Sequence, residues 1–379
     1  MSMIRLLAVI RKETIHITRD LRSLITAILL PLVLMVAYCE SLSLDVNNIP
    51  MVIIDYDKTK ESRDLVDRFV SSGYFSIVEY VDSYRAMQRA IDAGRAVIGL
   101  TIPRDFGKLI NTAEKRVPLQ VLLDGTDPNR GSTANGYTQV IAQNYSQQMI
   151  MDRFARLGII QSAVPIQPRI RIWYNPTLRS KNFLVPGLVA MIMAILAALL
   201  TSATVAREWE NGTMELLIST PISAFEIVLG KFIPYFIIGL IDSIMIIIVG
   251  TMYYHVPIVG SLALLALLIV LFLTGMLLLG LLISCSFRST LMANQLAFMV
   301  TYLPTMLLSG FVFFIPGMPK VLQYLSRIVP ATYFLTCSRG IFMKGVGMEV
   351  LYESFLFLAI FDMLVIALTI MSFRKTLDT

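Results

Sequence analysis

Hydrophobic and polar positions along the chain alternate first with a helical period. One face of residues 1–22 repeats at 4-3-4-3-4 spacing and consists of Met3, Leu7, Ile10, Thr14, Ile17 and Leu21. The opposite face is mostly basic and carries Arg5, Lys12, His16, Arg19 and Asp20. A narrow apolar stripe opposite a charged face predicts an amphipathic helix that lies in the headgroup plane of a membrane.

An apolar segment at residues 23–44 follows this helix directly. Its length of about 22 residues corresponds to roughly 33 Å of helix, which is enough to cross a hydrocarbon core. Pro31 is tolerated in such a helix. A cleaved signal peptide is the alternative, but the segment is long, and the bulky Tyr38 before Cys39 suits neither signal-peptide nor lipobox cleavage. We therefore predict a retained first transmembrane helix.

Residues 45–181 have the pattern of a small α/β domain. Apolar runs predict strands at residues 51–54, 75–81, 96–102, 119–123 and 169–173. Helical patterns lie at residues 61–70, 83–93 and about 132–157. Because strands and helices alternate, we expect a mixed sheet with its own hydrophobic core.

Long apolar segments return in residues 182–379. They lie at residues 183–206, 232–252, 258–284, 291–314 and 352–373. Together with the first segment they predict six transmembrane helices. Residues 315–351 are apolar but too interrupted for a crossing, and their helix breakers are Pro316, Pro319, Pro330, Gly340, Gly345 and Gly347. Short re-entrant or interfacial helices at the outer face fit this segment, since irregular backbone at membrane depth must be buried against protein.

The positive charges of the short loops predict the sidedness. One side would hold Arg5, Arg11, Lys12, Arg19, Arg22, Arg207, Lys231, Arg288, Arg374 and Lys375. The positive-inside rule assigns this side, with both termini, to the cytoplasm. The predicted fold is an α-helical polytopic membrane protein with six transmembrane helices and an extracytoplasmic α/β domain inserted between spans one and two.

Composition narrows the possible functions. The chain is 56% hydrophobic and only 15% charged, which disfavours a soluble protein. The net charge of +6 is spread along the chain and forms no basic patch with interleaved aromatics, so we expect no nucleic-acid partner. Its three cysteines and two histidines show no metal-ligand spacing, and we predict neither a metal site nor a catalytic one. No G-x-x-x-x-G-K-[ST] motif occurs, so any nucleotide must bind to another chain.

Residues 207–223, between the second and third predicted spans, are the most informative short segment. They begin with charge, continue with apolar helix-forming residues and stop at Thr220-Pro221. This pattern predicts a short cytoplasmic helix parallel to the membrane that could transmit force from a soluble partner. An ordinary loop between helices is the alternative. The candidate coupling residues are Arg207, Glu208, Glu210, Gly212, Thr213, Glu215, Thr220 and Pro221.

Two carboxylates fall near the middle of predicted spans. Asp242 and Asp362 lie in the third and sixth spans, where a charged side chain costs about 2.5–3.5 kcal/mol on insertion scales. A proton-sensitive or substrate-contacting pair is one interpretation. We favour the other, a structural hydrogen bond to a hydroxyl or carbonyl of a neighbouring helix.

Three groups of motifs resemble the permease subunits of type-2 ABC transporters, in the drug- and bile-salt-exporter branch with a large outer domain. The loop motif is Arg207-Glu208-Trp209-Glu210-Asn211-Gly212-Thr213-Met214-Glu215, continuing to Thr220-Pro221. The outer segment contributes Leu308-Ser309-Gly310-Phe311, Pro330-Ala331-Thr332-Tyr333-Phe334 and Arg339-Gly340-Ile341-Phe342-Met343-Lys344-Gly345. The outer domain contributes Ile102-Pro103-Arg104-Asp105-Phe106, Asn135-Gly136-Tyr137 and Arg171-Ile172-Trp173-Tyr174-Asn175-Pro176.

The resemblance implies two permease subunits, as a homodimer or with a paralogue, and two cytoplasmic ABC ATPase subunits that bind ATP and Mg²⁺ and dock at residues 207–223. It also marks Pro330, Tyr333, Arg339 and Gly340 as an outer re-entrant motif. We expect a bacterial inner-membrane exporter of a small amphipathic or hydrophobic compound. A periplasmic membrane-fusion adaptor would be a further partner if the compound crosses two membranes. A membrane receptor or scaffold with an outer ligand-sensing domain is the alternative.

Overall fold

A computed structural model of the protein describes residues 3–41, 48–112, 117–126, 128–156, 173–175 and 179–373. The chain forms two compact units, one from Met1–Ser43 with Ile172–Thr379 and the other from Leu44–Arg171. The smaller unit is one continuous stretch of the chain, whereas the larger unit combines two stretches.

The elements follow in chain order. The helices are α1 (Met3–Arg19), α2 (Leu21–Ser41), α3 (Lys60–Ser71), α4 (Tyr84–Asp92), α5 (Phe106–Thr112), α6 (Pro128–Arg156), α7 (Ser180–Ser202), α8 (Ala206–Glu210), α9 (Thr213–Ser219), α10 (Ala224–Ile248), α11 (Leu262–Ser286), α12 (Thr290–Leu308), α13 (Lys320–Ser326), α14 (Pro330–Arg339) and α15 (Met348–Ser372). The strands are β1 (Ile49–Asp55), β2 (Phe75–Tyr80), β3 (Ile98–Ile102) and β4 (Gln120–Leu123).

The smaller unit is an α/β fold around one mixed sheet. Its strand order is β2-β1-β3-β4, with β1 parallel to both neighbours and β4 antiparallel to β3. Met51 and Ile53 pack toward α3 and α6, whereas Val52 and Ile54 pack toward α4. Because both faces of β1 are covered, its sequence is a continuous apolar run.

The predicted strands at residues 51–54, 75–81, 96–102 and 119–123 coincide with β1 to β4. Most of the fifth predicted strand, at residues 169–173, lies outside the described residues. The sequence pattern did not predict the short helix α5, which follows β3 directly.

The larger unit is helical and is organised around α7. This helix is buried along most of its length and contacts α2, α10, α11, α12 and α14. Among the described residues, five helices are long and apolar enough to cross a membrane, namely α7, α10, α11, α12 and α15. The predicted first span, residues 23–44, corresponds to α2, whose apolar part Ala27–Ser41 is shorter. A sixth crossing therefore stays a prediction.

Different groups of residues meet at the two ends of the helical bundle. At one end, Val205, Met214 and Phe373 share a cluster with the first turns of α10. At the other end, Lys181 at the start of α7 forms an ion pair with Glu40 at the end of α2 (Nζ to Oε1, 3.2 Å). The elements that the charge pattern assigned to one side thus meet at one end of this unit. Which end faces the cytoplasm stays a prediction.

Residues 315–351 form a series of short helices, as the prolines and glycines suggested. They comprise a 3-10 turn at Ile315–Gly317, then α13 and α14, and a π-helix at Gly340–Lys344. The Tyr333 side chain is held by two contacts. Its hydroxyl donates to the Arg327 carbonyl (2.8 Å), and its ring stacks on Phe357.

Candidate functional site

The predicted coupling segment, residues 207–223, is two short helices and not one. Gly212 has a φ of +69°, in the left-handed region, and separates α8 from α9. A residue with a Cβ would be strained in that conformation, which explains the glycine. Thr220 ends α9 in an extended conformation before Pro221, as the Thr-Pro stop predicted. The single-helix prediction was therefore wrong, and its cause was the unrecognised turn at Asn211-Gly212.

The next helix, α10, begins at Ala224, well before the predicted start at residue 232. The Ser223 side chain accepts a hydrogen bond from the Glu226 backbone N–H, and the Glu226 carboxylate accepts one from the Ser223 N–H. This capping box satisfies two N–H groups of the first turn. The early start places Lys231 inside the helix, on a face that is covered by protein.

Lys231 is the centre of a buried charge cluster. Its side chain is only 1% exposed, and Nζ lies 2.8 Å from Glu13 Oε1 and 2.8 Å from Glu208 Oε1. Nζ also donates to the Thr204 carbonyl (3.3 Å). Lys12, which is about half exposed, donates to the same Glu208 oxygen (2.5 Å). The two lysines and two glutamates balance in charge, and we call these four residues the charge cluster.

The charge cluster joins three elements that are far apart in sequence. Glu13 belongs to α1, Glu208 to α8 and Lys231 to α10. Removing one member of a buried ion pair leaves an uncompensated charge and costs about 3–5 kcal/mol. The cluster therefore holds α8 against α1 and α10. The charge pattern of the sequence assigned Lys231 to one side of the membrane and pointed to no role for Glu13.

The face that α1 presents to the protein also differs from the prediction. Leu6, Val9 and Glu13 are its buried residues, whereas the predicted stripe includes the exposed Met3 and Leu7. A Cβ added at Gly230 of α10 would lie 2.6 Å from Val9 Cγ1, so glycine is what allows this close approach. Met3 and Leu7 therefore face outward, which fits contact with lipid, whereas Ile17 of the predicted stripe packs against the core of the helical unit.

Several other predicted coupling residues make contacts within the chain. Arg207 Nη1 lies 3.2 Å from His16 Nε2 of α1. Glu210 accepts hydrogen bonds from the Thr290 N–H and hydroxyl, both at 2.7 Å, and thereby caps the start of α12. The Thr213 hydroxyl donates to the Glu208 carbonyl (3.3 Å). Arg5 donates to the carbonyl of Pro221.

The segment presents an exposed apolar side chain on α9. Leu216 is 71% exposed, and Glu215 and Ser219 are exposed beside it. Met214 of the same helix is buried in the cluster that includes Val205. α9 is thus anchored on one side and presents an apolar and an acidic side chain on the other. We call the Glu215–Leu216 surface the α9 face.

Asp242 and Asp362 differ in how far they follow the favoured interpretation. Both are buried, in α10 and α15. Neither oxygen of Asp242 has a hydrogen-bond partner, and Oδ1 of Asp362 has none. The prediction of a structural hydrogen bond for Asp242 is therefore wrong. The reason is that the α7 and α11 side chains around it, Met193, Leu196, Ala197, Leu200 and Leu273, are apolar.

Comparison with known proteins identifies the family of this chain. Residues 21–371 match the family described as ABC-2 family transporter protein. The chain is 34% identical over 374 residues to the probable multidrug ABC transporter permease YbhS of Escherichia coli (strain K12), covering 99% of this chain and 98% of that protein. It is 31% identical over 350 residues to the probable multidrug ABC transporter permease YbhR of the same organism, covering 92% and 93%.

A eukaryotic relative shares the same region. ABC transporter G family member 20 of Dictyostelium discoideum is 25% identical over 352 residues, which is 90% of this chain but 46% of that protein. The family match spans α2 to α15 and so includes the charge cluster's Lys231 and Glu208, together with α9. The chain therefore belongs to the ABC-2 transporter family and is a permease domain of that family over most of its length.

Proposed function

We propose that this chain is the membrane-spanning subunit of an exporter that takes its energy from ATP hydrolysed by a separate ABC ATPase subunit. The cargo would be a small amphipathic or hydrophobic compound, moved out of the cytoplasm or the inner leaflet. The multidrug permease names of the two Escherichia coli relatives support this cargo class. Catalysis would belong to the partner, which would bind ATP and Mg²⁺.

The α9 face is the observation that carries the coupling part of the proposal. Exposed apolar residues next to a charge are suited to insertion into a groove of a partner protein. Leu216 and Glu215 make such a surface. The charge cluster ties the preceding helix α8 to α10 through Glu208 and Lys231. A displacement of α9 would therefore pass directly to a predicted membrane-spanning helix.

Membership of the ABC-2 transporter family supports a proposal for the assembly. We propose two permease subunits, identical or paralogous, with two ATPase subunits at the α9 end and both chain termini in the cytoplasm of a bacterium. The α/β unit would then lie outside the inner membrane, where it could contact a membrane-fusion adaptor. A receptor or scaffold is not favoured, because the two relatives of nearly equal length are both named permeases.

ATP-driven transport in everted membrane vesicles tests this function. Vesicles that contain the chain and its ABC ATPase partner should accumulate a hydrophobic fluorescent dye when ATP is added. Vesicles with the ATPase alone, and vesicles supplied with a non-hydrolysable ATP analogue, are the controls. Equal dye accumulation in all three preparations, with both proteins present at normal levels, would refute the exporter function.

A further inference from the structure

Arg339, the last residue of α14, has a guanidinium group that is only partly satisfied. Nη1 donates to the carbonyl of Gly310, just beyond α12, at 3.2 Å. Nε and Nη2 are buried and have no hydrogen-bond partner. The guanidinium carbon lies 3.9 Å from the centroid of the Phe183 ring, near the start of α7. The group is therefore enclosed between an aromatic ring and one carbonyl.

Such a group is costly because it stays charged. An arginine guanidinium is not deprotonated in proteins, so this one keeps its charge although it is largely buried. Buried charges are normally paired, and an unpaired one carries a large desolvation penalty. No carboxylate among the described residues lies within ion-pair distance of Arg339. At the same end of the bundle, Glu40 is already paired with Lys181 (3.2 Å).

The cover over the guanidinium is a surface group that can move. Phe183 is 41% exposed, and exposed side chains change rotamer on a picosecond to nanosecond timescale. Arg339 is also followed at once by the π-helix Gly340–Lys344, a form that is frequent at functional sites. A rotation of Phe183 would open the side of the guanidinium that its ring covers, without unfolding any element.

We propose that Arg339 binds the oxyanion of an amphipathic molecule at the end of the helical bundle opposite α9, with the Phe183 ring packed against the molecule's apolar part. Nε and Nη2 would donate the two parallel hydrogen bonds that a carboxylate, sulfonate or phosphate accepts. The oxyanion could belong to a transported compound, in which case the inference rests on the proposed function. It could equally be the phosphate of a membrane lipid, which does not depend on that function.

A matched pair of fluorescent probes isolates the oxyanion. N-Phenyl-1-naphthylamine and 8-anilino-1-naphthalenesulfonate share one aromatic scaffold and differ only by the sulfonate. Binding of each is titrated to the purified full-length chain in maltoside micelles, which contain no phosphate, with empty micelles as background. The measurement needs neither ATP nor a partner, so a failure of the proposed function would not affect it.

Substitutions at Phe183 test the site without removing the arginine. Phe183→Glu should place a carboxylate beside the guanidinium and occupy it, whereas Phe183→Gln has nearly the same shape and no charge. We expect sulfonate binding to be about tenfold weaker in the glutamate variant than in the glutamine variant, as for the loss of one charged hydrogen-bonded pair. The uncharged probe should bind both variants equally. Equal sulfonate affinity in both would overturn the inference.

Arg339→Gln tests the arginine itself, and Lys344→Gln is its control because Lys344 is an exposed cation only five positions away. Arg339→Gln should weaken sulfonate binding about tenfold or more, and Lys344→Gln should change it less than twofold. An equal loss in the two variants would attribute binding to net charge and reject the site. If Arg339→Gln does not fold, the Phe183 pair decides alone.

Phosphatidylglycerol is then titrated against the bound sulfonate probe in the unsubstituted chain. Displacement at low lipid concentration would identify a phospholipid phosphate as an occupant. Persistence of the bound probe would leave a transported anion as the occupant. Both results support an oxyanion site at Arg339.

Discussion

At the scale of single residues, the charge cluster decides how the N-terminal helix is attached. Lys231 has two carboxylate partners, Glu13 and Glu208, and almost no contact with solvent. Such a group is favourable only while its partners are present, because desolvation is then offset by short hydrogen bonds. Lys12 contacts Glu208 as well, but from an exposed position.

Lys231→Met should therefore destabilise the protein far more than Lys12→Met. The first substitution leaves Glu13 and Glu208 buried next to an apolar side chain, and we expect a loss of about 3–5 kcal/mol. The second removes a lysine that is about half exposed and leaves Glu208 paired with Lys231, so we expect a smaller loss of about 1 kcal/mol. Thermal unfolding of the two purified variants in the same detergent compares them. Similar melting temperatures would show that Lys231 is not held as described.

At the scale of elements, α8 and α9 divide the glutamates of the coupling segment into two classes. Glu208 faces inward and completes the charge cluster, whereas Glu215 faces outward on α9. Reversing the charge of a buried glutamate should lower the stability of the protein. Reversing the charge of a glutamate on a docking surface should weaken binding of the partner instead.

Glu208→Lys should lower the amount of folded protein, because it places a third cation beside Lys231 and Lys12. Glu215→Lys should leave the amount unchanged and weaken co-purification of the ATPase partner. Quantitative blotting of membranes, followed by affinity purification, measures both properties in each variant. If Glu208→Lys were abundant and uncoupled while Glu215→Lys behaved normally, the assignment of the two glutamates would be reversed.

Periodicity and apolar runs in the sequence predicted most elements, because these patterns are local. These patterns did not predict contacts between residues far apart in the sequence, or helix starts that depend on capping residues. Glu13 and Lys231 are 218 positions apart, and nothing local to either residue marks the pair. The start of α10 could have been predicted from the sequence, since Ser223 and Glu226 form a capping-box signature. Glu226 and Lys231 interrupt the apolar run, which is why the hydrophobic pattern began only at residue 232.

At the scale of the whole molecule, the chain combines a helical unit with an α/β unit that has its own core. The clusters around Phe69 and Met87 cover both faces of the sheet with residues of that unit alone. Units of this kind fold independently when few contacts cross their boundary.

A fragment of residues 44–171 should therefore be soluble and folded when expressed alone. Circular dichroism should show mixed α/β content, and thermal unfolding should be a single cooperative transition. Leu100→Asp, which buries a charge in the sheet, is a control that should abolish the transition. A fragment that is unfolded without substitution would mean that the unit depends on the membrane helices.

ATP turnover by the reconstituted complex tests the central claim, that the chain receives energy from its partner through α9, most directly. The purified chain and its ATPase are placed in liposomes, and the increase in ATP hydrolysis caused by a hydrophobic dye is measured. Leu216→Glu should abolish the increase at normal protein levels. Val259→Glu, at an apolar position that is 61% exposed at the opposite end of the bundle, should retain it. Full dye stimulation with Leu216→Glu would contradict the account.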